Sequence, residues 1–168
     1  MQRSQDIKFQ VYALMCKSLF RKPLFIAFLL LCANTAFATK VVTKPLNELV
    51  DNADHVVQVS IVNVDMIDSK GNVINDPGAR TGPGLENTIR LHAEVQDKGI
   101  LKTNTDHVPE IIVVELWPFW HYSLGQIQNE STNQDAIFLL KGEGFEPITP
   151  SHFQRPVSER SEIIKLIK

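Results

Sequence analysis

Apolar and polar residues that alternate with a period of two predict β-strands through the middle of the chain. The clearest run, residues 88–96, turns its four apolar side chains to one face and its polar side chains to the other. Two later runs are almost continuously apolar, which is typical of central strands that are buried on both faces. The pattern predicts five strands, over residues 57–66, 88–96, 110–117, 135–141 and 145–149.

The first predicted strand carries a phase change in its pattern. Within residues 57–66 the apolar positions are odd-numbered up to Ile61 and even-numbered from Val62 onwards. A slip of one residue is what a β-bulge produces, and bulges bend long strands around barrels. The sequence therefore predicts a bulge between Ile61 and Val62.

Short helices are predicted at both ends of this β-rich region. Residues 44–53 carry apolar side chains at helical spacing, with Pro45 suited to the first turn. Near the C-terminus, Ser158 is a potential N-cap of a second helix, which has acids in its first turn and lysines near its end. Helices this short are stable only when they pack on another element.

The overall composition favours a mostly β fold. After residue 38 the chain has 27 Val or Ile but only 14 Leu or Ala, and branching at Cβ suits a pleated sheet. We expect the five strands to form a small Greek-key barrel, closed or nearly closed, with a short helix at each end. Closure would remove exposed strand edges; an open sandwich is the alternative. Two long connections remain, at residues 69–87 and 118–134.

Residues 1–38 have the layout of a secretory signal peptide. They carry five Lys or Arg against one acid, then the apolar run Leu24–Ala33 and the small-residue stretch Ala36-Phe37-Ala38. The apolar run is too short for a membrane anchor, and Leu31 before Cys32 argues against lipidation. We expect cleavage after Ala38, with Met15 as an alternative start of translation, and a periplasmic or secreted product.

Removing this segment changes the charge and the cysteine count. Residues 39–168 keep 12 Lys or Arg and 18 Asp or Glu, a formal charge of −6, whereas both cysteines lie before position 38. An acidic protein lacks the electrostatic attraction that draws proteins to nucleic acids. We expect one domain over residues 39–168, without disulfides, without a stable membrane span and without a nucleic-acid partner.

Three segments of the predicted barrel are similar to a known type of domain. They are Val56-Val57-Gln58-Val59 after a helix, Gly99-Ile100-Leu101-Lys102, and Ala136-Ile137-Phe138-Leu139-Leu140 before a glycine turn. In this patterning, residues 44 to about 150 resemble small exported bacterial domains with an OB-like barrel, similar to netrin modules and tissue inhibitors of metalloproteinases. Those inhibitors act through an N-terminal cysteine, so the resemblance implies the fold and not the inhibition.

The usual catalytic and metal-binding patterns are missing from the sequence. The five histidines are His55, His92, His107, His121 and His152, and none is spaced to share a metal on one strand or helix face. We therefore expect each to be solvent-exposed, with no metal and no cofactor bound. The loop over residues 76–84 lacks the lysine of a phosphate-binding loop, and Ser123 lacks the GxSxG context of a hydrolase.

One segment concentrates the aromatic residues of the predicted domain. It holds five candidate binding residues, namely Trp117, Phe119, Trp120, His121 and Tyr122. Trp and Tyr combine a large apolar face with a polar group and are enriched in protein interfaces. The alternative is that these rings plug one end of the barrel. Alternation with the inward residues of the preceding strand places Trp117 on the outside.

Three functions remain open at this point. The favoured one is an exported, non-enzymatic binding module of the bacterial envelope, which engages a protein partner through the aromatic segment. An acidic surface would select a basic partner. The second is a small hydrolase or metal-dependent enzyme whose site is assembled from His121, His152 and loop acids. The third is a barrel that holds a small apolar molecule.

Overall fold

The predicted strands build one antiparallel sheet in the computed structural model, which describes residues 44–118 and 121–167. As predicted, this part of the chain is mostly β, and three short helices accompany the sheet. The predicted signal segment, residues 1–38, lies outside the described residues. Within the described ranges, no helix is long and apolar enough to cross a membrane.

The elements follow one another as a long β-meander, a helix and a group of shorter strands. They are α1 (Leu46–Asn52), β1 (His55–Ile67), β2 (Thr88–Lys102), β3 (Ile111–Glu115), α2 (Leu124–Ser131), β4 (Asp135–Lys141), β5 (Glu146–Pro147), β6 (Gln154–Pro156) and α3 (Arg160–Leu166). A single 3₁₀ turn, Val157–Glu159, leads into α3. The described residues thus form six strands instead of the predicted five, since β6 is an addition.

The sheet curls into a half-barrel. Its order is β3-β2-β1-β4-β5, and β6 also pairs with β4. The two longest strands, β1 with 13 residues and β2 with 15, carry the curl. The curl brings β3 near β5, yet no strand pairing joins these two edges within the described residues.

Several features of the strands match the sequence pattern. The pairing of β1 with β2 shifts register between Ile61 and Asn63, which confirms the predicted bulge. Strand β4 is central, and its residues 136–140 are all buried. Its two faces contribute to different cores, because α1 and α3 cover the outer face while the curled sheet covers the inner one.

Both cores consist largely of aliphatic side chains. The inner core includes Val57, Val59, Ile61, Met66, Ile89, Leu91, Ile112, Val114, Leu124, Phe138, Leu140 and Phe153. The outer core consists of Leu49, Val50, Ala53, Val56, Ile137, Leu139 and Ile163. Each Val, Leu, Ile, Met or Phe side chain among them, when fully buried, contributes about 1.5–3 kcal/mol of transfer free energy. The short terminal helices are therefore held by packing, as expected from their length.

Two predictions about this region are wrong. The run over residues 110–117 was predicted as a central strand, but β3 lies at the edge of the sheet and its side chains alternate between exposed and buried. The predicted connection over residues 118–134 contains α2. Its N-cap Ser123 and Gln126 form a capping box, and α2 buries two apolar side chains in the inner core.

A large bulge in β2 allows the two long strands to curl together. Four residues of β2, ending at Gly99, lie opposite the single residue Gln58 of β1. A Cβ atom on Gly99 would clash with the carbonyl oxygen of Gln58. Around this point Gln58 donates to Gln96 at 2.6 Å, Gln96 donates to Ser60 at 2.8 Å, and Arg160 donates to Gln58 at 2.9 Å. The bulge is thus closely packed and hydrogen-bonded to α3.

We expect Gly99→Ala to destabilise the protein by about 1–3 kcal/mol, because the added methyl group meets backbone that cannot rotate away. Gly144→Ala is the matched control, since its added Cβ has only ordinary contacts, the nearest at 3.7 Å. Urea unfolding followed by circular dichroism measures both changes. Equal stability of the two variants would contradict the close approach at Gly99.

Candidate functional site

The two facing edges of the half-barrel border a groove. At one end a cavity of about 610 Å³ lies between β3 and the turn leading into β5. At the other end a cavity of about 690 Å³ lies between α2 and β6. Leu116, Pro150 and Phe153 line both cavities. We call the two cavities together the seam groove.

The floor of the seam groove belongs to the inner core. Phe153 is buried and packs edge-on against Phe138, with ring centroids 5.2 Å apart. Leu116 continues the inward side of β3, and its amide donates to Ile89 O at 2.8 Å. Because these side chains are fixed by the core, the groove is formed by the fold and not by a mobile surface side chain.

The predicted aromatic residues are distributed along this groove. Trp117 lines the first cavity and is 62% exposed, and Tyr122 lines the second and is 43% exposed. His121 is exposed but lines neither cavity. Phe119 and Trp120 lie outside the described residues. The structure therefore brings two of the five predicted residues to one continuous feature.

The ionisable groups of the seam groove are mainly acidic. Glu115 and Glu146 line the first cavity, and Glu130 and Asp135 line the second. Among the described residues that line these walls, only Arg155 is basic, and its guanidinium donates twice to Glu159, at 2.7 and 2.6 Å. Since this pairing already balances the charge of Arg155, the four carboxylates give the groove a negative potential.

A compact charge cluster lies on the outer face of the sheet beside β3. Arg90 donates to both carboxylate oxygens of Asp65, at 2.9 and 2.6 Å. His92 Nε2 lies 3.2 Å from the same carboxylate, without the alignment of a hydrogen bond. The hydrogen bonds from Arg90 lower the pKa of Asp65; partial burial opposes this shift and His92 adds to it.

The prediction that every histidine is solvent-exposed is wrong, because His92 and His152 are only partly exposed and His55 is buried. His55 was expected to be solvent-exposed, but it is only 1% exposed at the start of β1. Its ring nitrogens lie 2.9 Å from Thr103 Oγ1 and 3.1 Å from Gly142 O, and its ring packs on Phe145. Strand β1 begins at His55, two residues earlier than predicted. The side chain of His55 therefore lies between the loops that contain Thr103 and Gly142.

A smaller cavity of about 430 Å³ brings His55, His107 and Glu143 to one place. Both ring nitrogens of His55 are already engaged in hydrogen bonds. Over the described ranges, no group of three His, Cys, Asp or Glu side chains has the arrangement of a metal site. This cavity therefore contains residue types that can bind a metal ion, but these residues do not form a set of available metal ligands.

The remaining candidates for chemistry have local structural roles. His152 is half-buried and its Nδ1 lies 2.8 Å from Oγ of the neighbouring Ser151. Among the described residues, no acid forms a hydrogen bond with His152, so this pair lacks the third member of a triad. Ser123 caps α2 by accepting from the Gln126 amide.

Sequence reasoning missed the other wall of the seam groove. Phe145, Pro150 and Phe153 lie about 30 residues after Trp117 and reach it only because the sheet curls. No local sequence pattern indicates that two edges distant along the chain will lie close together. One available signal was the Ser-x-x-Gln capping box at Ser123, which would have predicted α2 behind Tyr122.

Replacing Asp65 with Asn should flatten the acid dependence of stability. The folded-state pKa of Asp65 lies below its ordinary value of 3.8, so its carboxylate contributes stability above that value and loses it as the pH falls through the folded pKa. Urea unfolding from about pH 5 to pH 2 measures the dependence. Asp106→Asn, at an exposed carboxyl that forms no ion pair within the described ranges, is the control. An unchanged slope for Asp65→Asn would contradict the ion pair.

Comparisons with known proteins give no information on the function of this chain. No protein-family model matches the chain, and no curated protein matches it. The resemblance to netrin-like domains stays a prediction. The seam groove and its two exposed aromatic rings are the features on which a function can rest.

Proposed function

We propose that this protein is an exported, non-enzymatic binding module of the bacterial envelope, which engages a protein partner at the seam groove. The observation that carries the proposal is the exposure of Trp117 and Tyr122 at the two cavities. Large aromatic rings on a surface are favourable anchors, because each buries much apolar area with little loss of conformational freedom.

The groove between the two rings supports the same function. Its two cavities, of about 610 and 690 Å³, can each accept apolar side chains of a partner. The four carboxylates along the walls favour a partner with basic residues and would accelerate its encounter with the groove. Export is inferred from residues 1–38 alone.

We propose further that the half-barrel is an OB-like Greek-key barrel. The strand order β3-β2-β1-β4 and the position of α2 between β3 and β4 support this proposal. In such a barrel β3 and β5 would be the strands that meet at closure. On this reading the seam groove is the place where the barrel stays open.

Substitution of the aromatic rings tests the binding function. We expect Trp117→Ala and Tyr122→Ala each to weaken partner binding by about 2 kcal/mol or more, roughly thirtyfold, as interface anchors do. The readout is capture from an envelope fraction followed by a binding titration with the captured protein. Ile164→Ala on α3 is the control, because Ile164 is as exposed as Tyr122 but lies outside the groove. Captured proteins that bind all variants equally would exclude the groove.

A metal-dependent enzyme is the second candidate, because one cavity holds two histidines and Glu143. These histidines are His55 and His107, whereas His121 and His152 do not line that cavity. Since both nitrogens of His55 are engaged, we expect calorimetric titration with zinc chloride to show no stoichiometric binding. Stoichiometric binding that is lost in His107→Ala would favour the enzyme over the binding module.

A further inference from the structure

Among the residues that the structure describes, only β2 pairs with β3, so the other edge of β3 has no strand partner there. The amide of Leu116 donates to Ile89 O and the carbonyl of Glu110 accepts from Val95, both at 2.8 Å. In an antiparallel pair, such residues alternate with residues whose backbone groups point the other way. The N–H and C=O groups of Ile111, Val113 and Glu115 are therefore directed away from β2, at the edge that borders the seam groove at Val113 and Glu115.

The two edges of the sheet differ in how they are protected. On the far edge, β5 contains Pro147 and β6 contains Pro156, and proline is a residue that prevents pairing of edge strands. Strand β3 contains neither proline nor lysine, and two of its outward side chains are exposed, Ile111 by 49% and Val113 by 43%. An unprotected apolar edge of this kind is suited to pairing with another chain.

We propose that an extended segment of a protein partner adds to β3 as a further strand at the seam groove and displaces β5 from beside it, since neighbouring strands lie about 4.8 Å apart and β3 and β5 are too close for a strand between them. This proposal rests on the proposed binding function and specifies its mode. The free stretch is bounded by Pro109 and Pro118, so the added strand would pair over roughly five to seven residues of β3. Its backbone would satisfy the donors and acceptors of Ile111, Val113 and Glu115.

The chemistry of the added segment follows from the two sides of β3. Side chains of the segment that point inward would lie beside Leu116 and Phe153, so they should be apolar. Side chains that point outward would lie beside Ile111, Val113 and Glu115, where β-branched and basic residues pair favourably. Glu146 on the opposite wall adds a second negative charge. The segment should therefore alternate apolar residues with Lys, Arg, Val, Ile or Thr.

A second copy of the chain fits this edge less well. Pairing of β3 with its own copy would bring together two grooves that each carry the same four carboxylates. Like charges placed close together in an interface are destabilising. Residues 39–168 also have a formal charge of −6, which opposes self-association. Neither the repulsion between carboxylates nor the repulsion between net charges acts on a basic segment of a different protein.

Val113→Pro is the most selective variant for testing strand addition. Proline at this position removes an N–H that points to the free edge, whereas the ladder with β2 keeps all its hydrogen bonds. Val113→Thr is the matched control, because it retains the N–H and the shape of the side chain. Circular dichroism and thermal unfolding establish that both variants fold.

The probe is a display library of random twelve-residue peptides selected on the wild-type protein. We expect enriched peptides to alternate apolar with basic or β-branched residues, to bind Val113→Pro about tenfold more weakly, and to bind Val113→Thr nearly as well as wild type. If Val113→Pro fails to fold, two N-methylated copies of an enriched peptide supply the same test. One copy is methylated at the odd-numbered amides and the other at the even-numbered amides, so each blocks one edge of the added strand. In that case one of the two methylation registers should abolish binding.

The outcomes separate this proposal from the proposed function. Peptides that lose affinity for Trp117→Ala but bind Val113→Pro like wild type would overturn strand addition and leave the aromatic groove as the binding site. Failure to enrich any peptide would overturn both. A wild-type dimer in light scattering that Val113→Pro converts to a monomer would overturn the basic partner in favour of a second copy.

Discussion

The bulged pairing of β1 with β2 is the constraint on which the rest of the structure depends. Where four residues of β2 face only Gln58, the ladder must bend, and the absence of a side chain at Gly99 lets the two backbones approach. The bend turns one face of the sheet into an interior that Phe138 and its neighbours fill. It also carries the two sheet edges toward each other, so the seam groove is a consequence of how the core is closed.

Much of this fold could be predicted from the sequence because its signals are local. Alternation located β1 and β2, the phase change at Ile61 located a bulge, and continuous apolar runs identified β4 as buried on both faces. The same reasoning failed for β3, because four of its five residues are apolar and the run looks buried on both faces. Its side chains nevertheless alternate in burial, and Ile111 and Val113 are exposed. An apolar residue on an exposed edge cannot be distinguished from a core residue by pattern alone.

The candidate site was only partly predictable for a related reason. Aromatic composition identified Trp117 and Tyr122, because large rings next to proline in a loop are conspicuous in sequence. The opposite wall, with Phe145 and Phe153, depends on the curl of the sheet and has no local signature. The burial of His55 was missed likewise, since it depends on Thr103 and Gly142, which lie 48 and 87 residues away along the chain.

Charge pairing beside β3 links the fold to the selectivity proposed for the groove. Arg90 lies opposite Glu115 in the strand register and would be its natural counterion. Its Nε and Nη2 instead donate to the two carboxylate oxygens of Asp65, and Glu115 acts on the guanidinium only through space. Since no side chain of the described residues forms a hydrogen bond with the Glu115 carboxylate, an incoming Lys or Arg at this edge of β3 could pair with it. The ion pair of Arg90 with Asp65 thus stabilises the outer face of the sheet and leaves a negative charge, that of Glu115, at the edge of β3.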